Sequence, residues 1–265
     1  MQTFKKVIYI LFIVGVAGLL VACIAFAQIQ NKERVCSAIQ VVFDDKEPIE
    51  FLKEKEIIKK IKYIADSDII GEPLSSLDFR KIENEILKSS YVANCKIFSN
   101  QKDELVIHLT QKKPILRVIN NNGVSYYLSE SNDKMPLSVN FTPNVPLAIG
   151  EVEMLRKNNG DSIVLYQLFL LATSIQKDSV LDAMIDHVSV NENGDFDLYP
   201  KFGKHVIVFG KVDENMPTKW RNLKVFYKEV LTKIGWEKYE QINLNFKDQL
   251  VATKKTEIEN EKNEK

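Results

Sequence analysis

One stretch decides how everything else in this chain can be arranged. Residues 7–27 read VIYILFIVGVAGLLVACIAFA, without a charge or a proline. A helix rising ~1.5 Å per residue crosses a hydrocarbon core of ~30 Å in about 20 residues, so this run has the length and chemistry of a membrane span. No other run in the 265 residues matches it. It implies a stub at 1–6, a transmembrane helix at 7–27, a polar stalk at 28–34, and a body on one side of the membrane. Lys5 and Lys6 on one flank nearly balance Lys32 and Arg34 on the other, so the positive-inside rule is close to silent. A short stub against so large a body fits a cytoplasmic amino terminus and an exported body.

Two rival readings attach to the same run. Ala25-Phe26-Ala27 has the form of a signal-peptidase site, and Leu20-Val21-Ala22-Cys23 has the form of a lipobox whose Cys23 would be acylated. The run is longer than the ~7–15 residues of a signal core and stays apolar past Cys23, which favours an uncleaved anchor. An exported lipoprotein remains the alternative. Gly15 and Gly18 lie three apart rather than four, so the span reads as a tether more than a helix-pairing face.

Composition narrows what the body can do. Thirty-six Lys and Arg meet thirty-six Asp and Glu, so no overall field recruits nucleic acid or an anionic membrane surface. Three cysteines, one inside the apolar run, do not make a disulfide scaffold. Cys36 and Cys95 would share an oxidising compartment, but alternation sets Cys36 opposite the Ile39, Val41 and Phe43 face and Cys95 on the core side of its own strand, which disfavours a bridge and leaves it as the alternative.

Residues 35–43 alternate as a strand, with Val35, Ile39, Val41 and Phe43 on one face. Residues 51–64 carry helical spacing through Ile57, Ile58, Ile61 and Ile64. Asp78 is placed to cap a second helix striped by Phe79, Ile82, Ile86 and Leu87. Strands follow at 91–98 and 104–111. Beyond Pro114, strands are expected at 115–119, 124–129 and 145–149, with a Pro-bearing connection over 135–146. Asp161 or Ser162 caps a helix that turns Val164, Leu168, Leu171, Ala172 and Ile175 inward. A hairpin spans 185–199 across Asn193-Gly194, and a further strand covers 204–212. Thr218 opens a long helix ending at Gly235, striped by Trp220, Leu223, Tyr227, Val230, Leu231 and Ile234. A final strand is expected over 241–253, followed by a polar tail at 255–265 with the composition of a disordered segment.

The residues offer no convergent catalytic or metal site. His108, His187 and His205 fall on separate strands without a His or Cys at ligand spacing, and no nucleophile-elbow, zinc-helix or phosphate-loop motif occurs. His108 falls opposite Leu105, Ile107 and Leu109, a solvated position. Asp195 and Asp197 share a strand face and read as solvated acids. Tyr126 and Tyr127 are adjacent on a strand and point to opposite faces, one to the core and one to the surface. Trp220 and Trp236 read as packing residues, and Lys112-Lys113 as a solvated hinge.

The order strand, helix, helix, strand, strand, with Gly71 between the helices and Leu105-Val106-Ile107-His108-Leu109-Thr110-Gln111 closing before Pro114, resembles a POTRA domain. Pro114-Ile115-Leu116-Arg117-Val118, Ser125-Tyr126-Tyr127-Leu128, Met135-Pro136-Leu137-Ser138 and Phe141-Thr142-Pro143 followed by Val145-Pro146 then resemble the FtsQ/DivIB family of bacterial cell-division proteins. Relatives often have Gly in the turn that here reads Ser131-Asn132-Asp133, and Asn or Asp tolerates the left-handed position. An outer-membrane assembly factor, which also carries POTRA units, would need a long run of ~10-residue barrel strands that this chain lacks.

The resemblance implies an α+β protein: one N-terminal membrane helix, a POTRA-like domain over 35–112, and a mixed α+β domain over 113–254 with an exposed C-terminal edge strand. It implies a non-enzymatic scaffold without a cofactor, in the plasma membrane at the division septum. Such a scaffold holds FtsB/DivIC-type and FtsL-type partners and couples them to septal peptidoglycan synthesis, with the POTRA domain serving recruitment. It also implies that the partner contact lies at Asn245, Phe246, Lys247, Asp248, Gln249, Leu250 and Val251. Phe246 stands where relatives often have Tyr, and its alternation with Ile242 and Leu244 allows a core position as well.

Overall fold

A computed structural model describes residues 12–23, 34–44, 48–153 and 162–255. Residues 12–23 form a helix, α1. Among the described residues no helix is long and apolar enough to cross a membrane. The expected stub, the ends of the expected span at 7–11 and 24–27, all of the stalk but Arg34, and the tail beyond Lys255 lie outside the described residues. The chain divides into two compact units, Met1–Gln111 and Lys112–Lys265.

The first unit follows the expected order: β1 (Ala38–Phe43), α2 (Glu54–Ala65), a 3-10 turn (Leu74–Ser76), α3 (Phe79–Leu87), β2 (Val92–Ser99) and β3 (Glu104–Gln111). The sheet order is β1-β3-β2, with β1 parallel to β3 and β2 antiparallel to it. The closing strand is therefore the central one, which is why Leu105, Ile107 and Leu109 are fully buried. Ile57 and Ile61 of α2 and Ile82 and Ile86 of α3 pack on that face. Asp78 caps α3 as expected, its carboxylate accepting the Lys81 N–H at 3.0 Å.

The first strand starts later than its alternation suggests. Val35 is exposed and makes only a lone bridge to Pro73, while the Cys36 N–H donates to the Glu72 carbonyl. Residues 35–36 are thus bound to the loop between the helices instead of the sheet, and Cys36 turns into the core. Cys95 pairs with Leu109, and β3 separates its strand from β1. Both thiols are free and buried.

The second unit is built on one nine-stranded sheet in the order β12-β11-β10-β9-β8-β7-β4-β5-β6. Its strands are β4 (Pro114–Asn120), β5 (Ser125–Ser129), β6 (Lys134–Pro136), β7 (Leu147–Gly150), β8 (Ile185–Val190), β9 (Phe196–Pro200), β10 (Val206–Gly210), β11 (Tyr239–Asn243) and β12 (Val251–Lys254). The helices are α4 (Ile163–Gln176), α5 (Ser179–Met184), α6 (Met216–Phe226), a π turn (Tyr227–Leu231) and the short α7 (Thr232–Ile234). Alternate strand residues, among them Leu116, Val118, Val188, Leu198, Ile207 and Ile242, share one core with Leu168, Leu171, Trp220 and Leu223 of the helices. Ser162 caps α4, accepting the Leu165 N–H at 3.1 Å. The Trp220 indole donates to Ser174 at 3.0 Å and Lys224 pairs with Asp178, fastening α6 to the elements before it.

Four hairpin turns are closed by one device. Asn100, Asn120, Ser129 and Asn191 each use the side-chain oxygen to accept backbone N–H groups two and four residues on. The residue three positions on is left-handed in every case: Asp103, Gly123, Asn132 and Gly194 at φ 61, 77, 63 and 77. Asn132 thus fills the glycine-type position that the sequence leaves to Ser131-Asn132-Asp133.

Several expectations change here. Tyr126 and Tyr127 do point to opposite faces, yet both are buried, because β6 adds a strand beside β5 and sets the fully buried Met135 against Tyr127. The long helix opens two residues before Thr218 and is broken by the π turn, leaving Ile234 exposed. Lys112 is paired with Asp133 at 2.9 Å instead of being a solvated hinge. Asp195 has a buried oxygen without a hydrogen-bond partner, and burial beside Asp195 raises the Asp197 carboxyl. The region 241–253 is not one strand but the β11–β12 hairpin.

Candidate partner-docking edge

The C-terminal hairpin differs from the four closed by an Asn or Ser side chain in having a long connection. β11 runs parallel to β10, with Val206, Ile207 and Val208 facing Gln241, Ile242 and Asn243. Leu244 prolongs that pairing, its N–H donating to the Val208 carbonyl at 2.9 Å, and it is buried in the core. The chain then leaves the sheet. The Asn243 side chain accepts the Asn245 N–H at 2.8 Å, Asp248 takes a left-handed φ of 58, and the Gln249 N–H reaches the Phe246 carbonyl at 3.4 Å. β12 returns antiparallel, Val251 facing Asn243 and Ala252 facing Ile242.

Gly210 makes room for this departure. It ends β10 at φ 70, and a Cβ there would collide with the Asn245 side chain. Lys219 underpins the same corner although the stripe read from sequence omits it. Its ammonium donates to the carbonyls of Phe209 at 3.0 Å and Lys211 at 2.7 Å, with Asp213 at 3.9 Å. Burial pushes its pKa down while Asp213 and Asp195 pull it back. The signal was present, since Lys219 precedes Leu223 by four residues and so shares the buried side of α6.

Of the seven residues expected at the contact, six form the connection and only Val251 belongs to the edge strand. Phe246 is 52 % exposed, so it is not a core residue. Lys247, Asp248 and Gln249 are exposed, Leu250 packs partly on the core, and Val251 is 43 % exposed. Between this connection and the first turn of α6 lies a cleft of about 110 Å³, bordered by Asn215, Thr218, Lys219, Asn222 and Phe246. β12 is the outermost strand of its sheet, so one row of its backbone groups has no strand beside it among the described residues. The Lys255 N–H bonds to the Lys238 carbonyl on the inner side. Strand alternation then turns the amides of Ala252 and Lys254 outward. The opposite edge, β6, is only three residues long and carries Lys134 and Pro136, features that discourage pairing.

The other polar clusters are smaller. On the first unit's sheet His108 meets both Asp44 oxygens at 3.0 and 2.9 Å and stacks on Phe98 at 5.5 Å. His187 stacks on Tyr199 at 4.4 Å and contacts Asp186 at 2.9 Å. Among the described residues no group of three or more His, Cys, Asp or Glu is placed to hold a metal.

The family model for the FtsQ/DivIB C-terminal related domain matches residues 113–253, and that for a POTRA-like domain matches residues 34–110. No curated protein matches the chain. With more than half of its length matched by the first of these models, the chain belongs to the FtsQ/DivIB family.

Proposed function

We propose that the chain is a non-enzymatic, membrane-anchored scaffold of the bacterial division machinery. FtsQ/DivIB and POTRA-like domains are non-catalytic, and the first belong to cell-division scaffolds. In this reading residues 7–27 hold the protein in the plasma membrane at the septum with the body outside. The β12 edge takes a strand from an FtsB/DivIC-type partner in complex with an FtsL-type protein, and so couples them to septal peptidoglycan synthesis. The POTRA-like domain engages other division proteins.

The open outer edge of β12, with the exposed Phe246 beside it, carries the proposal. An unpaired strand edge is a template for another strand, and an exposed aromatic at its entry gives the incoming chain an apolar anchor. Such an anchor is worth ~2 kcal/mol or more, about thirtyfold in affinity. Phe246→Ala is expected to weaken capture of the FtsB-type partner by roughly thirtyfold and to leave the melting temperature within a few degrees. Normal capture by this variant removes Phe246 as the anchor. The anchor reading has its own test, the intact mass of membrane-extracted protein. A chain starting at Cys23 with added lipid replaces the span with a lipoprotein.

A further inference from the structure

A buried histidine lies near the entry to β11, outside the candidate docking edge. His205, one residue before β10, is 1 % exposed. Its Nε2 lies 2.5 Å from the Tyr227 hydroxyl, and the two rings meet edge to face at 5.5 Å. Tyr227 opens the π turn, where the Thr232 N–H reaches back five residues to the Tyr227 carbonyl. A π turn shifts the helical register locally, and here it presents Tyr227 to His205. Tyr227 also packs edge to face on Trp236 at 5.3 Å, and Trp236 leads into β11. The Trp236 carbonyl acts on His205, whose Nδ1 makes no well-formed hydrogen bond of its own. Gly203, at φ 90, leaves the space, for a Cβ there would stand 2.9 Å from Nδ1. The charged groups acting on the imidazole are Glu237 and Lys255, which pair with each other at 3.1 Å at the end of β12.

Burial favours the neutral ring in this setting. A neutral imidazole accepts the Tyr227 O–H at Nε2 while its Nδ1–H turns toward the Trp236 carbonyl. A second proton makes Nε2 a donor to the Tyr227 oxygen, so the Tyr227 O–H must turn away and lose its acceptor inside a buried site. Burial holds the imidazole pKa below its usual 6.5, Lys255 adds to the lowering, and the Trp236 carbonyl and Glu237 oppose it.

We propose that His205, Tyr227 and Trp236 form a pH-sensitive latch: neutral His205 holds the entry to β11 in place, and its protonation loosens β11 and β12. Because the folded value is depressed, this stability is fully present above about pH 6.5 and is lost as the pH falls through the folded value. The consequence for partner capture rests on the scaffold reading, whereas the latch belongs to the free chain.

Hydrogen exchange of the full chain in detergent, without partner, tests it. Rates at pH 7.5 and 5.0 are corrected for intrinsic exchange. Amides in Tyr239–Asn243 and Val251–Lys254 are expected to exchange at least tenfold faster at pH 5.0, while those of β3 stay protected. His205→Gln can accept from Tyr227 and donate to Trp236 without titrating, and is expected to show equal protection at both pH values. Tyr227→Phe removes the hydroxyl that ties His205 to the π turn, and is expected to speed exchange of the same amides already at pH 7.5. Equal protection in the unaltered chain at both pH values, the same acceleration in His205→Gln, or unchanged protection at pH 7.5 in Tyr227→Phe overturns the latch. Should His205→Gln fail to fold, the pH dependence of the unaltered chain and Tyr227→Phe carry the test. A latch that opens as expected while no FtsB-type partner binds at any pH overturns the scaffold reading and leaves the latch standing.

Discussion

Cys36 and Cys95 show how burial sets the behaviour of single residues. Each is less than 5 % exposed in the core of the first unit. Burial raises both thiols, and with the nearby Glu83 it pushes Cys95 up to about 11. At pH 7.5 that leaves roughly one part in a few thousand of Cys95 as thiolate, the reactive form. Maleimide is therefore expected to label neither residue within minutes in the folded chain and both in urea. Intact mass is expected to show both as free thiols. Fast labelling of the native protein at either site means that this core opens locally. Such properties were only half legible in the residues. Alternation separated the two cysteines, but it set Cys36 opposite the apolar face, because nothing in the sequence announces that residues 35–36 leave the sheet for the helix–helix loop.

Among the elements, the hairpins divide by how their turns close. Asn100, Asn120, Ser129 and Asn191 occur at turn-rich sites, and the Asn193-Gly194 turn could be read directly from sequence. The β11–β12 connection could not, because Ile242, Leu244 and Phe246 keep a strand-like alternation through the point where the chain turns. Gly210 and Lys219, distant in sequence, make that turn possible by clearing and bracing the corner. The outward amides of β12 then allow a test of backbone pairing. Lys254→Pro removes an outward donor at an exposed position and is expected to reduce partner capture at least tenfold with little loss of stability. Thr253→Pro removes a donor on the β11 side and is expected to lower the melting temperature as well. Capture by Lys254→Pro at the normal level means that the partner does not add a strand here. Glu83 supplies a contrast at the β2 edge of the first unit, where its carboxylate accepts the Ile97 N–H at 2.6 Å and occupies a donor that an added strand would need.

At the scale of the whole molecule the two units have separate cores, one gathered around β3 and the other spread along the nine-stranded sheet. Each core is made of residues of its own unit, so each body is expected to fold alone. Residues 112–265 expressed separately should show a cooperative thermal transition and keep partner capture within about threefold of the full chain, a change of under ~1 kcal/mol. A molten product, or lost capture, shows that the second unit needs the first. Sequence alone determined the apolar run, the order of elements in the first unit and the α4 stripe, because each rests on contacts a few residues apart. Tertiary structure alone decided that β12 begins only at Val251, that Phe246 lies in the connection before it, that Lys219 is buried on backbone carbonyls, and that His205 meets Tyr227. Those facts depend on which strands become neighbours across the sheet, and no local period records that.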